Sequence, residues 1–350
     1  MFILNAWYIA AWAKEIADKP FARRICDQPL VFFRDRQSGK VAALEDKCCH
    51  RGAPLSMGSV VETGLQCGYH GVVHDCSGRC VFIPGQDRIP ARAKVRSYPV
   101  VEKNEFIWIW MGDPERADPA GIVDYPFNDD HANWPHCQGF YHIKASYLLM
   151  VDNLMDLTHL GYVHASTIGG NPMTHVHADM DIRRSDTGLS YTRLMMNSSP
   201  PPTYVAAVGF EGRVDRWQEF EFVPPGNVLQ WSGAVDVGRG AREHNNRDGG
   251  FSLRIFHGLT PETANTCFYF YAPANGYRQG DRAATEELMK HISEAFLEDK
   301  LMCEGQQARL DELGESSLID IVSDATRLQL RRILKRMEDE EGRSAALRSV

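Results

Sequence analysis

Over roughly the first hundred residues, short apolar runs alternate with turn residues at intervals too short for helices, which predicts a β-rich segment. Leu30–Arg34 and Val41–Leu44 flank a turn holding Ser38-Gly39 and read as a hairpin. Phe106–Trp110, FIWIW, is aromatic and β-branched and reads as a strand. The opening MFILNAWYIAAWAKEIADKP is apolar, as a secretory leader is. It carries no basic residue ahead of the apolar run, and Glu15 and Asp18 follow without a small-residue cleavage site, so a buried first strand and helix is expected. Gly112-Asp113-Pro114 and Asp118-Pro119 break regular structure and mark the expected boundary between residues 1–115 and 116–350.

Beyond that boundary the period lengthens. A stretch near Tyr147–Tyr162 has helical spacing. Strand-like runs follow at Leu189–Met195, Arg216–Phe222, Val228–Trp231, Phe251–Leu259 and Thr266–Tyr271, punctuated by Pro224-Pro225 and by Gly/Asn clusters at 238–250. Asp281–Arg309 and Ala325–Met337 return to helical spacing, with Glu286, Glu287 and Lys290 on an exposed side. The pattern contains no repeat. It predicts an α+β protein, an N-terminal all-β domain followed by a larger domain with an antiparallel sheet flanked by helices.

A length of 350 residues exceeds what one ordinary core takes, which agrees with two domains. No apolar run approaches bilayer-spanning length, so no membrane partner is expected. A net charge of −8 without a basic block argues against a nucleic-acid surface. Nine cysteines at irregular spacing suit metal ligation in a reducing compartment better than a disulfide framework, which makes the cytoplasm the expected location.

Cys48-Cys49-His50-Arg51-Gly52 precedes Cys67-Gly68-Tyr69-His70-Gly71, with sixteen residues between His50 and Cys67. Each half supplies one thiol and one imidazole. A Rieske [2Fe–2S] centre needs two thiolates on one iron and two imidazoles on the other, and the neutral imidazoles raise its potential. Gly52, Gly68 and Gly71 let backbone N–H groups approach the bridging sulfides. The same donors make a tetrahedral zinc set, which stays open, although the spacing is unlike a zinc finger and the flanking chain is β-rich. Cys49 reads as a packing residue, and Cys76 and Cys80, a C-x3-C pair with no matching half, as buried structural cysteines.

A second constellation occupies 152–164, DNLMDLTHLGYVH. Asp156 and His159, three apart, share a face of a continuous helix. His159 and His164 are five apart, about 140° around an ideal helix. Both reach one metal only if the helix ends or distorts, and Gly161 is suited to that break. Two imidazoles and one carboxylate form the facial triad of non-haem Fe(II) oxygenases, open on one side. Asp299 on the C-terminal helical stretch leads for the carboxylate, with Glu298 its competitor. Alone, such histidines are usually hydrogen-bonded core residues, and such an aspartate is usually solvated. The cluster motif earlier in the chain is what gives the set weight.

CCHRGAPL and CGYHG resemble the cluster motif of Rieske non-haem iron oxygenases. DNLMDLTHLGYVH resembles the mononuclear iron motif of their vanillate O-demethylase, dicamba monooxygenase and toluenesulfonate methyl-monooxygenase branch. NAWYIAAW, GKVAALEDKCCHRGAPLS, VVEKNEFIWIWMGDPERADP and GLTPETA extend the resemblance along the chain, with a looser middle. The resemblance implies a [2Fe–2S] cluster on Cys48, His50, Cys67 and His70, and iron(II) on His159, His164 and Asp299. It implies that Asp156 is a bridging carboxylate and that Asn153 lies near the iron. It further implies a head-to-tail homotrimer in which His70 of one chain bonds Asp156 of the next, O2 as co-substrate, and a separate flavin and iron–sulfur reductase fed by NADH or NADPH. Cys49 stands where many relatives have proline, which alters no ligand.

Three functions are compatible with this. The leading one is an aromatic-acid monooxygenase or O-demethylase. The others are a ring-dihydroxylating or ether-cleaving dioxygenase, and an electron carrier without catalysis. The carrier leaves a whole extra domain, roughly 230 residues, without a purpose. No arginine is singled out for a substrate carboxylate: Arg213, Arg216 and Arg254 each read as ordinary surface charges.

Overall fold

The computed structural model describes residues 2–185, 188–315 and 318–348, the last five by backbone alone. It comprises two compact units. One is Met1–Asp124 with Thr260–Ala264, and the other is Tyr125–Leu259 with Asn265–Val350. The division lies past the two turns that Asp113 and Asp118 cap ahead of Pro114 and Pro119.

In the first unit the strands are β1 (Trp7–Trp12), β2 (Phe21–Ile25), β3 (Gln28–Arg34), β4 (Val41–Glu45), β5 (Ser59–Val61), β6 (Gly64–Gln66), β7 (Val73–His74), β8 (Cys80–Phe82), β9 (Ser97–Tyr98), β10 (Val100–Lys103) and β11 (Phe106–Trp110). They form three sheets, ordered β1-β11-β10, β2-β3-β4-β9 and β5-β6-β7-β8. All six residues of β1 are buried, and Trp12 stacks on Phe106 at 4.3 Å. The helix expected after it is only a 3-10 turn, Ala13–Glu15, because the Glu15 carboxylate folds back to accept from Trp12 N at 2.8 Å. The β3–β4 hairpin pairs as its alternation predicts. Between β2 and β3, Cys26 and Asp27 take φ of 50° and 63°, the two-residue turn whose twist matches the strands. Their N–H groups donate to Pro261 O and Glu262 O, both at 2.9 Å, and Thr260 Oγ1 donates to Ile9 O at 2.7 Å.

The second unit contains β12 (Gly139–Ile143), β13 (Asp179–Arg184), β14 (Leu189–Ser198), β15 (Val214–Val223), β16 (Asn227–Asp236), β17 (Phe251–Thr263) and β18 (Thr266–Asn275). They form one mostly antiparallel sheet, ordered β12-β18-β17-β16-β15-β14-β13. Its helices are α1 (Tyr147–Met155), α2 (Leu160–Val163), α3 (Pro172–Val176), α4 (Pro202–Val208), α5 (Arg282–Leu313) and α6 (Ala325–Arg348). The 32-residue α5 packs on β12, β18 and α1. Phe296 on its buried face meets His257, Tyr269 and Tyr271, with ring centroids 5.0–5.5 Å apart. Asp299 follows one turn later on the same face, so that packing sets its position. α6 is tied to α1 by Arg327 and Arg331, which pair with Asp152 at 3.2 and 2.5 Å. Thr326 Oγ1 donates to the free carbonyl of Met155 at the end of α1. Among the described residues no helix is long and apolar enough to cross a membrane.

The helix predicted near Tyr147–Tyr162 is not continuous: it ends at Val163, two residues past Gly161, and also breaks earlier, ahead of both histidines. Its first part stops at Met155; Asp156 is extended, with φ −129° and ψ 107°. The Asp156 carboxylate supplies a competing local bond, accepting from Thr158 N at 2.9 Å and Thr158 Oγ1 at 2.8 Å, and so starts a new 3-10 turn. Asp156 and His159 therefore do not share a helix face. Gly161 stays helical and serves close packing instead, since a Cβ there would sit 2.3 Å from Pro172 Cα. Gly161→Ala should cost about 1–3 kcal/mol through this overlap. A melting temperature at the wild-type value would show that α3 yields freely.

Candidate metal centres

Cys48 and Cys67 are buried within the apolar cluster of Val31, Phe33, Leu44, Leu55, Leu65 and Val72. Their two loops repeat one hydrogen-bond pattern. Cys48 N donates to Ala53 O and Cys67 N to Val72 O, both at 2.8 Å; Gly52 N returns to Cys48 O at 2.9 Å and Gly71 N to Cys67 O at 3.0 Å. Closing each loop this way puts Gly52 and Gly71 at φ of 73° and 72°, where a side chain would be strained. The exposed His50 and His70 rings lie 4.5 Å apart, centroid to centroid. Burial pushes the Cys48 thiol up to about 11, so a bound metal must displace its proton. Two core-backed thiols below two solvent-side imidazoles match a cluster with one sulfur-ligated and one nitrogen-ligated iron. No three of these four donors fall within 4.8 Å of one another, as the second centre's donors do. That is too open for one tetrahedral zinc.

Cys49 is exposed rather than packed, because its neighbour Cys48 takes the inward direction. Of the C-x3-C pair, Cys80 is buried as expected, whereas Cys76 is exposed in the turn that Asp75 organises.

In the second unit, His159 Nε2 and His164 Nε2 approach the same oxygen, Asp299 Oδ1, at 3.3 and 3.0 Å. The ligand atoms of all three residues lie within 4.8 Å of one another. The 3-10 turn that ends at His159 and the departure of His164 from helical backbone, with φ −111° and ψ 30°, bring the two imidazoles round, and the Asp156 carbonyl accepts from His159 Nδ1 at 2.7 Å. Glu298 Oε2 accepts from His164 Nδ1 at 2.6 Å. Both rings thus donate through Nδ1, which turns each Nε2 toward the shared point, the orientation that histidine metal ligands take. Asn153 Nδ2 donates to Asp299 Oδ1 at 2.9 Å. Asp299 is only 3 % exposed. Burial alone would raise its carboxyl, but the hydrogen bonds and charge of His159 and His164 outweigh burial and hold it below the usual carboxylate range. Burial disfavours protonation of His164, yet Asp299 and Glu298 raise it on balance. A buried carboxylate receiving two imidazoles is a cation site, and it fits a two-His-one-carboxylate iron. Glu298 lies outside the convergent set of His159, His164 and Asp299 and bonds the far side of the His164 ring.

A pocket adjoins this centre. His159, Asn153 and Asp299 form one part of its wall, and Leu154, Leu157, Leu160, Ile168, Phe220, Phe251, Leu253, Ile255, Ile292 and Phe296 make it largely apolar. Its polar lining includes Thr203, Gln218, Gln230 and His257. His257 donates from Nε2 to Gln230 Oε1 at 2.9 Å, and Tyr269 OH donates to its Nδ1 at 2.7 Å. Burial lowers His257 to about 3, so it is neutral. Sequence reading missed His257, Gln230 and Gln218. The signal lay in strand alternation: Leu253-Ile255-His257 and Phe222-Phe220-Gln218 each put a polar residue on an apolar face. The surface reading fails for Arg216, which is 1 % exposed, because the same alternation turns it inward; Arg213 is exposed as expected. Arg254 is half-buried over Phe127, at 4.0 Å from the ring centroid.

A thiol–imidazole cluster site and a two-histidine carboxylate site in one chain define a Rieske non-haem iron oxygenase. Residues 6–99 match the Rieske [2Fe-2S] domain and residues 143–340 the vanillate O-demethylase oxygenase C-terminal domain, and the chain belongs to this family of oxidoreductases. It is 38% identical over 348 residues to the toluene-4-sulfonate monooxygenase system iron-sulfur subunit of Comamonas testosteroni, covering 99% of this chain and 100% of that protein. It is 39% identical over 354 residues to the vanillate O-demethylase oxygenase subunit of Pseudomonas sp. strain HR199, covering 99% and 98%. The crystal structure of dicamba monooxygenase bound to 3,6-dichlorosalicylic acid matches with a TM-score of 0.91 at 32% identity, over 97% of this chain and 99% of that one. These relatives are oxygenase components of multicomponent systems, which sets aside a non-catalytic carrier.

His159→Ala should lose the mononuclear metal and turnover while keeping the visible spectrum of the cluster; iron analysis beside that spectrum checks it. Glu298→Gln should weaken iron binding about 10- to 100-fold without abolishing it, as read by chelator competition.

Proposed function

We propose that the protein oxidises a methyl group of a small aromatic acid, by O-demethylation or methyl hydroxylation, as the cytoplasmic terminal oxygenase of a system driven by NADH or NADPH. Residues 1–115 serve as the Rieske domain and 116–350 as the catalytic domain. Cys48, His50, Cys67 and His70 hold the cluster, and His159, His164 and Asp299 hold the iron. When bound, the two centres supply single electrons and the activation of O2. The observation that carries the reading is one apolar pocket that shares His159, Asn153 and Asp299 with the candidate iron site.

The chain's own residues do the positioning. Apolar side chains exclude water from the reacting methyl group. Neutral His257, with both ring nitrogens engaged by Tyr269 and Gln230, gives the pocket a fixed wall that adds no charge. Asn153 fixes the Asp299 carboxylate. With a methyl ether as substrate, oxidation yields a hemiacetal-type carbon that collapses to a phenol and formaldehyde. A methyl group on ring carbon leaves a benzylic alcohol. The partners are a flavin and iron–sulfur reductase and two further copies of this chain in a trimer. Asp156 is the bridging carboxylate, half-buried beside His159 and set to accept a hydrogen bond from a neighbour's His70.

Incubating the loaded enzyme with reductase, NADH and a panel of methoxylated and methylated aromatic acids should release about one formaldehyde per methoxyl group lost. A cis-diol product instead would replace this reading with ring dioxygenation. Asp156→Asn should retain both metals and slow turnover by an order of magnitude or more; normal turnover would reject the bridging role.

A further inference from the structure

Arg216 is a buried cation without a counter-charge. It lies on β15 two residues from Gln218 and four from Phe220, so all three face the same side of the sheet, and Gln218 and Phe220 line the pocket. Its Nε and Nη2 have no hydrogen-bond partner, and no carboxylate pairs with it among the described residues. The guanidinium carbon is 5.3 Å from the ring centroid of Tyr204, a pocket-lining residue that stacks on Phe251 at 3.9 Å. Across the sheet Arg216 faces Ala234, whose next neighbour is Phe251, so only a methyl side chain separates the two in register.

The surroundings reinforce the imbalance. Arg193 is also buried, and it donates to Gln218 Oε1 at 3.0 Å and to His175 O at 2.7 Å, both neutral acceptors. Because arginine only donates, this fixes the Gln218 amide with Oε1 toward Arg193 and leaves its Nε2–H group as a further donor. Burial lowers Arg216, but a guanidinium does not discharge under ordinary conditions. A buried charge left unpaired is costly, and a ligand of opposite charge that removes the cost gains affinity from doing so. An oxyanion with two adjacent oxygens matches the guanidinium fork.

We propose that Arg216, assisted by the Gln218 amide, binds the anionic end of the substrate, a carboxylate or sulfonate, while the triad of His159, His164 and Asp299 takes the methyl end. This rests on the aromatic-acid reading above and names its anchor. The pocket is thereby selective for aromatic anions over neutral aromatics of the same shape.

The test uses the holoenzyme and matched pairs: vanillate against vanillyl alcohol, 4-methoxybenzoate against 4-methoxybenzyl alcohol, and 4-toluenesulfonate against 4-toluenesulfonamide. Dissociation constants are measured anaerobically for the wild type, Arg216→Gln and Arg216→Lys, with the cluster spectrum as the folding control. The wild type should prefer the anion in at least one pair. Arg216→Gln should lower that anion-over-neutral ratio by about 30-fold or more, and Arg216→Lys, which keeps charge but not the fork, by a smaller factor. If Arg216→Gln does not fold, Arg216→Lys alone decides, and an unchanged ratio there overturns the anchor. An unchanged ratio in both variants, or equal loss of both members of a pair, also overturns it. If the wild type prefers and oxidises only the neutral partners, the anchor falls and the oxygenase reading stands. If no compound of the panel is oxidised, the aromatic-acid reading itself fails.

Discussion

The catalytic unit depends on one buried carboxylate oxygen that two imidazoles approach. Asp299 is buried, is reached by His159 and His164, and is held by Asn153. Such an arrangement is costly unless something fixes every participant. The surrounding structure does so from three directions. Packing of Phe296 on Tyr269 and Tyr271 sets the rotation of α5. Asp152, Arg327 and Arg331 hold the end of α1. The change from a 3-10 turn at His159 to a short helix that ends before His164 lets two histidines five residues apart converge.

Asp156 joins several of these demands. Its backbone leaves the helix, its carbonyl orients His159, and its carboxylate organises the following turn through Thr158. A helix-breaking glycine would have loosened the same segment without supplying those bonds. An aspartate breaks the helix by offering a better local partner, so the bend is stiff. Stiffness suits a metal site whose ligands must be in place before the metal arrives.

Much of this was legible in the chain. The spacing of Cys48, His50, Cys67 and His70 specified paired loops, and the structure adds that the two loops are near copies in their hydrogen bonding. The strands of the large sheet appeared as apolar runs close to their true positions. Gln218, Gln230 and His257 lie inside those runs yet escaped notice, because a polar residue within a strand reads as solvent-facing until its partners are known. Asp299 could be nominated but not secured, since burial of a carboxylate depends on tertiary packing. The helix end near Gly161 was foreseen, but the earlier break at Asp156 was not, because it comes from side-chain competition rather than from a glycine. Cys49, Cys76 and Arg216 show the same limit. Whether one residue faces in or out depends on strand and loop geometry that residue type does not encode.

The end of β17 and the start of its turn into β18, Thr260–Ala264, belong to the cluster-bearing unit although the rest of both strands does not. The carbonyls at Pro261 and Glu262 satisfy the amides of the Cys26–Asp27 turn. The modules are consequently interleaved in the gene. A fragment ending at residue 124 would expose two backbone donors that the intact chain keeps bonded, and exchanging the electron-storing half between relatives would require transplanting a distant loop along with it.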